Sequence, residues 1–500
     1  MKAFLDRFFH VHERGSSFKT ELVGGLLTFI AMSYIMPLNA SILASTGMNQ
    51  VGVFVMTGVL SFVCTMIMAL VANYPIALST GMGLNAYLAY TLSNALFTSW
   101  QQKMILLTIS GLLFFIFSLS PIRRKLIEAI PHNIKGIISA SLGVFIMFVG
   151  LKGTGLIAND EGTLVTLGNF LDPAVILGFS VVVITIGLTF SKRRFVSTLA
   201  VPIGIAGAAV LGLILSSGMI ASGQIVNENG AWVYTFANLK GVQTLLPIAP
   251  SFDKSLTFGF NAASVSEVFL YGTFAGYNSF GSDLIHVLTT PASYLAIFSL
   301  IFVNLFDTTA TLVAVGERIG LIDETGKMQG YRRAILADST GALICGPLGV
   351  STPTSFAESS IGVSFGARTG LSSVVVALLF LLSCFIYPIF SIFTAGSVTA
   401  CALVCVGITI TIGSFSRIDF KDPLVAFTAI VSVVFAALTY SITNGIGMAF
   451  ICYVITLSFS HRWREITPTM IILASLFFLS FMANAAMPLF QELSHKNQVG

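Results

Sequence analysis

Charged side chains are scarce in this chain. They account for 9% of its 500 residues, whereas hydrophobic residues account for 55% and the mean hydropathy is +0.91. Soluble globular proteins carry about 25% charged residues, so this chain has too few charges to cover a surface that faces water. Because long apolar runs dominate over alternating segments of about ten residues, the sequence predicts an all-α polytopic membrane protein and not a β-barrel.

Signatures of enzymes and of metal centres are also missing. The motifs GxSxG and HExxH do not occur, and the glycine-rich patches lack the lysine of a phosphate-binding loop. The six cysteines have neither metal-ligand nor disulfide-framework spacing, which indicates small apolar side chains within helices. Residues 1–21 form a short amphipathic lead and not a cleavable signal. We expect no enzymatic activity, no cofactor and no nucleic-acid partner.

Fourteen apolar segments are long enough to cross, or half cross, a bilayer. The first seven lie at 20–46, 50–74, 77–95, 104–120, 132–153, 172–191 and 196–217. The second seven lie at 293–316, 332–348, 351–365, 370–391, 394–413, 423–440 and 441–459. Residues 467–488 are apolar enough for a further span, and the sequence leaves open whether they cross the membrane or lie in its interface.

The basic residues test this count of spans. If the N-terminus is cytoplasmic and all fourteen segments cross, every basic cluster falls on the cytoplasmic side, as the positive-inside rule requires. The clusters are those of residues 2–19, 121–125, 191–194, 318–333, Arg368, Arg417 with Lys421, and 461–465. The long connection 218–292 then lies outside, and its only basic residues are Lys240 and Lys254.

The chain contains an internal repeat. PIALSTGMGLNAY begins at Pro75 and PLGVSTPTSFAES begins at Pro347, an offset of 272 residues. The same offset relates two further pairs of segments, 20–46 to 292–318 and 104–120 to 376–392. Seven spans per repeat is an odd number, so the second repeat is inverted in the membrane. Segments interrupted by glycine and proline at matching positions of inverted repeats indicate the binding site of a secondary transporter.

Acidic residues are few within the predicted spans. Asp307 lies centrally in the eighth span, Glu358 lies in the broken tenth segment, and Asp338 lies near the inner end of the ninth span. A carboxylate inside the membrane is a functional-site hypothesis by default, the alternative being a group satisfied by neighbouring hydroxyls or held neutral. We predict Asp307 and Glu358 as site residues, whereas Asp338 is expected to pair with the nearby Arg332 and Arg333.

Asn85 lies in the first repeat, one position before the residue that matches Glu358 at this offset. An amide offers both a donor and an acceptor, and a carboxyl group accepts, or donates once protonated. Two acids and an amide suit a flat, uncharged heterocycle, and they suit phosphate or sulfate badly because no intramembrane lysine or arginine accompanies them. Burial disfavours the charged form of a carboxyl group, so we expect one acid to take up and release a proton and to couple transport to the proton gradient.

Further candidates flank these residues. Phe306 and Phe356, each close to an acid, and Tyr87, close to Asn85, are candidates for stacking on a ring, although phenylalanine on a membrane helix more often packs or faces lipid. Asn39 is either a hydrogen-bonding residue between helices or a site residue. The remaining substrate-binding candidates are Gly83, Thr354 and Ser355.

Several longer motifs point to a family. They are ERGSSFKTELVGGLLTFIAMSYIMPLNASIL (13–43), PIALSTGMGLNAYLAYTL (75–92), FDTTATLVAVGERIGLID (306–323), ILADS (335–339), STPTSFAESSIGVSFGARTG (351–370) and LTYSITNGIGMAFICYVI (438–455). Together they resemble the AzgA-like branch of nucleobase–cation symporter family two, with most likeness to bacterial hypoxanthine/guanine permeases. The resemblance covers residues 10–465.

The resemblance implies a fourteen-helix fold of two inverted seven-span repeats. A core domain of spans 1–4 and 8–11 would move against a gate domain of spans 5–7 and 12–14, and spans 3 and 10 would begin with short strands that lead into half-helices. Asp307 and Glu358 match the family's substrate-binding acids, and Asn85 matches its binding asparagine. The implied activity is proton-coupled uptake of hypoxanthine, guanine or adenine across a bacterial plasma membrane, by a homodimer that contacts through the gate domain.

The spans and the resemblance together predict domain boundaries. The order is a cytoplasmic N-terminus at 1–19, core halves at 20–120 and 293–391, gate halves at 121–217 and 392–459, an extracellular connection at 218–292, and a C-terminal segment at 460–500. Two features depart from the family pattern. Pro353 and Ser355 stand in a run that is often rich in threonine, and the proline removes an N–H group from it. Residues 261–287 form an unusually long outer connection, which we expect to cap the outer face.

Other functions remain open on the sequence. A symporter of a related nucleobase, xanthine or uracil, has the same features. An anion transporter or channel on the same architecture is expected to place a cation or a bare helix terminus at the site in place of two acids. A membrane-embedded enzyme is disfavoured because no nucleophile–base pair is present.

Overall fold

The computed structural model covers most of the chain. The residues that it describes are 2–92, 97, 99–120, 130–160, 162–193, 196–197, 199–228, 231–235, 239–240, 243–248, 267–269, 280–319, 330–479 and 481–482. The basic cluster predicted at 121–125 and most of the outer connection at 261–287 lie outside the described residues, as do residues 483–500.

Helices dominate the structure. Those of the first repeat are α1 (Lys2–Phe9), α2 (Phe18–Met32), α3 (Ile35–Ala44), α4 (Gln50–Ile67), α5 (Met82–Ala86), α6 (Trp100–Leu119), α7 (His132–Gly153), α8 (Pro173–Thr189) and α9 (Ala200–Ala221). After α10 (Phe280–Thr289), those of the second repeat are α11 (Pro291–Arg318), α12 (Tyr331–Cys345), α13 (Ser359–Ser364), α14 (Gly370–Ser383), α15 (Tyr387–Ser391), α16 (Gly396–Phe415), α17 (Pro423–Leu438) and α18 (Ile442–Phe459). A last helix, α19, covers Pro468–Leu479.

Among the described residues, the strands are short and form three antiparallel pairs. They are β1 (Leu78–Thr80), β2 (Ile157–Asp160), β3 (Leu164–Leu167), β4 (Ile225–Glu228), β5 (Ala231–Tyr234) and β6 (Pro353–Ser355). The strands of β2–β3 and of β4–β5 form hairpins that follow α7 and α9, whereas β1 and β6 come from different repeats and pair with each other.

Every predicted span contains a helix or a strand followed by a helix. Among the described residues, seven helices are long and apolar enough to cross a bilayer, or eight if the bent pair α14–α15 is one span. Of the other predicted spans, α11 is a continuous helix of 28 residues, and the rest are shorter or broken, so the count of fourteen crossings stays a prediction. The helix α19 lies within the apolar stretch 467–488, in which residues 481 and 482 are also helical.

The chain breaks where the sequence places proline and left-handed backbone. The helix α4 continues through a π turn, Met68–Ala72, and stops at Asn73, whose φ is 55°. A proline at position 75 follows, and it cannot continue a helix because it lacks an N–H donor. The strand β1 then forms, and α5 starts after it. In the second repeat, β6 itself begins at Pro353 and leads to α13.

The strands β1 and β6 are antiparallel, and Ser79 lies opposite Thr354. The strand β1 begins at Leu78 and β6 at Pro353, so the strands are 275 residues apart and not 272. The residue that matches Glu358 is therefore Gly83, because each lies three residues after its strand ends. The prediction that Asn85 lies one position before the match is wrong, since it lies two positions after it.

This error in register has a physical cause. Five residues separate the π turn that follows α4 from β1, whereas seven separate α12 from β6. The stretch STPTS at 351–355 contains several small polar residues in a row, and the sequence match selected its first Ser–Thr pair. In the structure, the backbone of Pro353–Ser355 pairs with β1, and the first Ser–Thr pair at 351–352 precedes the strand.

The helices form two groups, in agreement with the core and gate domains that the family resemblance implies. In the core group, α6 packs on α11 and α12, and α14 packs on α2 and α4. In the gate group, α16 packs on α7, α8 and α9, and α17 packs on α7 and α18. Contacts between the groups are sparser and include α5 with α7. The bent segment α14–α15 turns by 90°.

A buried acid connects the two repeats within the core group. The carboxylate of Glu21 on α2 is fully buried, and it accepts hydrogen bonds from the backbone N–H groups of Arg368, Thr369 and Ser372. These groups lie at the start of α14, where a negative charge also interacts favourably with the helix dipole. The sequence reasoning did not single out Glu21, and its role here is structural.

Close backbone contact holds the gate group together at two glycines. A Cβ atom on Gly407 of α16 would lie 2.5 Å from the backbone oxygen of Gly143 on α7, and one on Gly143 would lie 2.5 Å from Thr411 Oγ1. Small residues allow membrane helices to approach in this way, where packing replaces the hydrophobic effect as the driving force. By contrast, Gly413, on the same helix as Gly407, has nothing within 4 Å of such an atom.

We predict that Gly407→Val destabilises the protein by about 1–3 kcal/mol, because overpacking forces α16 away from α7. The measurement is the thermal unfolding midpoint of the purified protein in detergent. Gly413→Val is the matched control, since it makes the same change on the exposed face of the same helix. Equal midpoints for the two variants would contradict the helix contact described here.

Candidate functional site

The predicted site residues converge on the β1–β6 pair. Thr354 and Ser355 belong to β6, Glu358 is the N-cap residue of α13, and Asn85 lies on α5. Asp307 comes from α11, which packs against both β6 and α13. Residues from three separate parts of the sequence therefore lie on elements that pack around one strand pair.

The Glu358 carboxyl group is half-buried and has a specific donor. The Tyr34 hydroxyl donates a hydrogen bond to Glu358 Oε1 at 2.9 Å. Tyr34 lies between α2 and α3 and is 5% exposed. The neighbouring residue Ala357 is exposed, so the carboxyl group lies at the edge of an accessible space. The sequence analysis did not predict Tyr34 as a site residue. Its signal was a tyrosine within the segment SYIMPLNAS, where the structure shows a break between α2 and α3.

Asp307 lies near both β6 and Glu358. Its half-buried carboxyl group interacts with the side-chain hydroxyl of Thr354 and, through space, with the Glu358 carboxyl group. The Thr354 side chain is 2% exposed. The structure therefore brings together the two acids that the sequence singled out, with a threonine hydroxyl beside one and a tyrosine hydroxyl beside the other.

Asn85 is fully buried on α5 and is held by the opposite repeat. Its Oδ1 accepts a hydrogen bond from the Ser351 hydroxyl, and its Nδ2 lies 4.0 Å from the sulfur of Met82. Ser351 lies two residues before β6 begins. The bond therefore ties the first half-helix to the segment that leads into the second strand.

The remaining predicted site residues are a glycine and three aromatic residues, and the structure describes the surroundings of all but Phe306. A Cβ atom on Gly83 would lie 2.5 Å from Leu142 Cδ1 and 3.0 Å from Ile442 Cδ1, so Gly83 contacts the gate helices α7 and α18. Phe356 is buried and its N–H donates to the Ala77 carbonyl. Tyr87 is buried in the π turn that follows α5. The side chain of Phe306 lies outside the described residues.

The two ambiguous polar residues make helix–helix contacts. Asn39 Nδ2 donates to Thr57 Oγ1 at 2.6 Å, which joins α3 to α4. The fully buried Asp338 accepts a hydrogen bond from Thr308 Oγ1 at 2.9 Å, which joins α12 to α11. Arg332 and Arg333 are exposed, and the expected pairing of Asp338 with them stays a prediction.

Several buried polar groups beside the acids have unused hydrogen-bonding capacity. In the part of the chain that the structure describes, no partner reaches the hydroxyls of Thr80 and Ser355 or either side-chain polar atom of Asn304. Asn304 lies three residues before Asp307, on the same side of α11, and is 1% exposed. An amide in the apolar run FVNLFD was a signal that sequence reasoning overlooked. Buried polar groups normally have partners, so these groups are available to a ligand or to water.

Pro353 fits the strand pair without loss of a ladder hydrogen bond. Gly81 N–H donates to the Thr352 carbonyl, and Phe356 N–H donates to the Ala77 carbonyl. Hydrogen-bonded pairs alternate along an antiparallel ladder, so Pro353, opposite Thr80, takes a non-hydrogen-bonded position. A Cβ atom on Gly341 would lie 2.6 Å from Pro353 Cγ, so the ring packs on α12.

No group of three or more His, Cys, Asp or Glu side chains among the described residues has the arrangement of a metal site. The acids of the site instead have hydroxyl neighbours. The arrangement offers two carboxyl groups, an amide and unpartnered hydroxyls around a pair of strands.

Comparison with known proteins decides the family. A sequence profile described as "Permease family" matches residues 19–447. Guanine/hypoxanthine permease PbuO of Bacillus subtilis is 37% identical over 94% of this chain and 99% of its own length. Adenine permease AdeP of Escherichia coli is 31% identical over 96% of both chains. This chain belongs to nucleobase–cation symporter family two. It is therefore a multi-pass membrane permease and not an enzyme.

Solved structures support the fold of this symporter family member. The transmembrane domain of the cyanobacterial bicarbonate transporter BicA superposes with a TM-score of 0.52, at 16% identity, over 85% of this chain and 97% of that one. Murine Slc26a9, an anion transporter in the inward-facing state, superposes with a TM-score of 0.52, at 12% identity, over 92% of this chain and 72% of that one. At these identities the likeness concerns architecture alone.

We predict an energetic coupling between Tyr34 and Glu358. Hydrogen bonds to charged groups contribute about 1.5–3 kcal/mol, so the changes Tyr34→Phe and Glu358→Gln are expected to be non-additive in the free energy of unfolding. A double-mutant cycle on the purified symporter, with denaturant titration, measures the coupling. Tyr294, whose exposed hydroxyl donates to the Leu288 carbonyl, provides the control pair Tyr294→Phe with Glu358→Gln. Additivity in both cycles would show that the Tyr34 bond contributes nothing.

Proposed function

We propose that this permease takes up purine bases, hypoxanthine, guanine or adenine, together with a proton. The observation that carries the proposal is the meeting of Asp307 and Glu358 at the β1–β6 pair, within a membrane-spanning fold. The names of the relatives, which are guanine/hypoxanthine and adenine permeases, support the substrate class.

The chemistry of the site suits a purine base. A purine presents ring N–H donors together with ring nitrogen and carbonyl acceptors on one flat, uncharged frame. Glu358 and Asp307 accept from N–H groups, and Ser355 and Asn304 have unused hydrogen-bonding capacity within the described residues. Binding sites of small ligands combine apolar walls with a few convergent polar groups. We assign Asn85, Thr354, Phe306 and Phe356 to the same binding region, with Gly83 at its border with the gate.

Proton coupling follows from the cost of two neighbouring carboxylates. Like charges close together disfavour double ionisation, and an uncompensated charge inside a membrane is expensive. Among the site residues named above there is no basic side chain to compensate both acids. A proton taken up with the base and released on the other side removes this conflict. Glu358 and Asp307 are the proposed carriers, and no further cofactor is needed.

Transport would proceed by movement of the core group against the gate group. The acids and Asn85 all lie on core elements, whereas Leu142 and Ile442, which touch Gly83, lie on gate helices. The sparse contact between the groups suits sliding of one against the other. Rocking of one bundle against another around a fixed site is the general form of alternating access.

The proposal includes an orientation and an assembly. The positive-inside distribution supports a cytoplasmic N-terminus in a bacterial plasma membrane, and the domain limits are those predicted from the sequence. The gate group exposes large apolar side chains, including Phe427, Ile430 and Phe435 on α17. Such a face suits lipid or a second gate group, which is the proposed homodimer contact.

Two other functions are weaker. Anion transport is compatible with the fold, since BicA and Slc26a9 share it. However, two adjacent carboxyl groups repel an anion, and the site residues named above include no cation to attract one. A symporter of xanthine or uracil would differ only in details of the pocket. The names of the relatives favour guanine, hypoxanthine and adenine, which carry at most one oxo substituent, over xanthine, which carries two.

Uptake of radiolabelled hypoxanthine, guanine and adenine into cells that lack their own purine permeases tests the substrate class. We expect saturable uptake of at least one base, competition by the other bases, and loss of accumulation when a protonophore collapses the proton gradient. Absence of all purine uptake by correctly inserted protein would refute the substrate class. Protonophore-insensitive accumulation would refute proton coupling while leaving the substrate class intact.

We predict that Glu358→Gln abolishes concentrative uptake or removes its pH dependence between pH 5 and 8. The amide retains the size of the side chain and hydrogen-bonding groups but cannot exchange a proton. Initial uptake rates across the pH range, compared with exchange of labelled for unlabelled base, measure the effect. Glu13→Gln, an exposed acid outside the site, is the control. A wild-type pH profile in Glu358→Gln would remove this residue from the coupling mechanism.

A further inference from the structure

A cavity separate from the candidate site lies between the core group and the gate group. It has a volume of about 300 Å³, within the range of small-molecule sites at ~300–1,000 Å³. Tyr90, in the π turn that follows α5, lines one wall, and Phe148 and Lys152 of α7 line another. Tyr440, which follows α17, and Asn159 of β2 also line the cavity.

Tyr440 contacts three other aromatic rings at this cavity. Its ring meets Tyr90 edge-on with centroids 5.4 Å apart, and it meets Phe145 and Phe148 in the same way at 5.8 Å. Its backbone has a φ of 54°, a left-handed conformation that is unusual for a bulky residue. Such conformations persist where the surroundings fix them, and they cluster at functional sites. The ring is half-buried, so one part of it faces the cavity.

Lys152 supplies a positive charge to the aromatic walls. Its ammonium group lies 4.8 Å from the centre of the Tyr440 ring. Lys152 lies in the last turn of α7 and is exposed. A cation at a helix C-terminus has a favourable dipole interaction, which alone explains a lysine there. The helix dipole does not explain why a cavity and several aromatic residues lie beside this lysine.

The β2–β3 hairpin contributes another wall of the cavity. Asn159 of β2 and Val165 of β3 line it. The turn between the strands is fixed by Asp160, whose Oδ1 accepts hydrogen bonds from the backbone and side chain of Thr163 and from Gly162 N–H. These bonds, those from Thr163 first, hold the pKa of Asp160 below its ordinary value. Hydrogen bonds to Asp160 therefore hold this wall of the cavity.

The cavity and the candidate site share one helical segment. Asn85 lies on α5, and Tyr90 follows five residues later in the π turn, a rise of about 7 Å at helical spacing. In the predicted topology, α7 and α17 end on the outer side, so the cavity lies between the outside and the acids. A ligand that enters from outside meets the aromatic cavity first.

We propose that this cavity is an outer binding site for oxopurines, at which Lys152 selects bases that carry an exocyclic oxygen. The inference rests on the proposed purine transport. The aromatic rings suit stacking on a flat heterocycle, which tolerates any base. An ammonium group has three donors and no acceptor. It therefore favours the oxygen of hypoxanthine or guanine over the amino group that adenine carries at the same ring position.

Cysteine protection tests the site without requiring transport. Asn159→Cys is introduced into the full chain, which is placed in nanodiscs so that both faces are accessible, and the rate of maleimide labelling is measured with and without hypoxanthine. The unmodified chain gives the background from native cysteines. Thr166→Cys, on an exposed position of the same hairpin, is the matched control. We expect hypoxanthine to slow labelling at position 159 several-fold and to leave position 166 unaffected.

Two further variants identify the source of protection. In the Asn159→Cys chain, Lys152→Met is expected to raise the hypoxanthine concentration needed for protection about tenfold, as for loss of one charge-assisted hydrogen bond, with little change for adenine. Glu358→Gln is expected to leave the protection intact, because the inner site is separate. Protection that Lys152→Met leaves unchanged, or that Glu358→Gln removes, would overturn the proposal.

Uptake kinetics separate this proposal from the proposed function. In the otherwise unmodified chain, Lys152→Met is expected to raise KM for hypoxanthine with Vmax unchanged, and Lys421→Met, on an exposed lysine of the α16–α17 connection, is expected to change neither. Purine uptake without protection at position 159 would refute the outer site alone. Protection without any purine uptake would refute the transport function while the outer site stands.

Discussion

The structure depends on one constraint, which is that backbone polar groups inside a bilayer must find partners within the protein. Proline and glycine interrupt the third and tenth segments, and the freed backbone groups of each segment are satisfied by the other. The Gly81 and Phe356 N–H groups donate across the gap to carbonyls of the opposite repeat. This pairing of β1 with β6 joins the two repeats at the centre of the core group and fixes where both half-helices begin.

The strand pair also determines the surroundings of the acids. Carboxyl groups taken out of water require donors, and each acid has a hydroxyl nearby, Tyr34 for Glu358 and Thr354 for Asp307. Neither hydroxyl neutralises a charge, as a lysine or arginine would. The acids are therefore oriented by hydroxyl groups and not by ion pairs. Glu21 provides the contrast, since three backbone N–H groups at a helix start fix it as a structural carboxylate.

The candidate site and the aromatic cavity lie along one broken segment, and this places both at the border between the two helix groups. Gly83 touches the gate helices, Asn85 is held by Ser351 of the opposite repeat, and Tyr90 reaches the ring of Tyr440. The first and last of these contacts cross the border between the two helix groups, and the second joins the two repeats.

The sequence by itself determined the membrane class and a helical fold of two repeats, because scarce charge, long apolar runs and two similar broken segments are properties of the linear chain. It also singled out Asp307, Glu358 and Asn85 as candidates, since polar residues in an apolar run are conspicuous. Tertiary structure alone decided the register of the strands, the Thr308 partner of Asp338, and the roles of Tyr34 and Tyr440. Backbone pairing fixes register, and repeated small residues such as STPTS look alike at several offsets. Hydroxyl and aromatic partners come from distant helices, and no local pattern records which helix faces which.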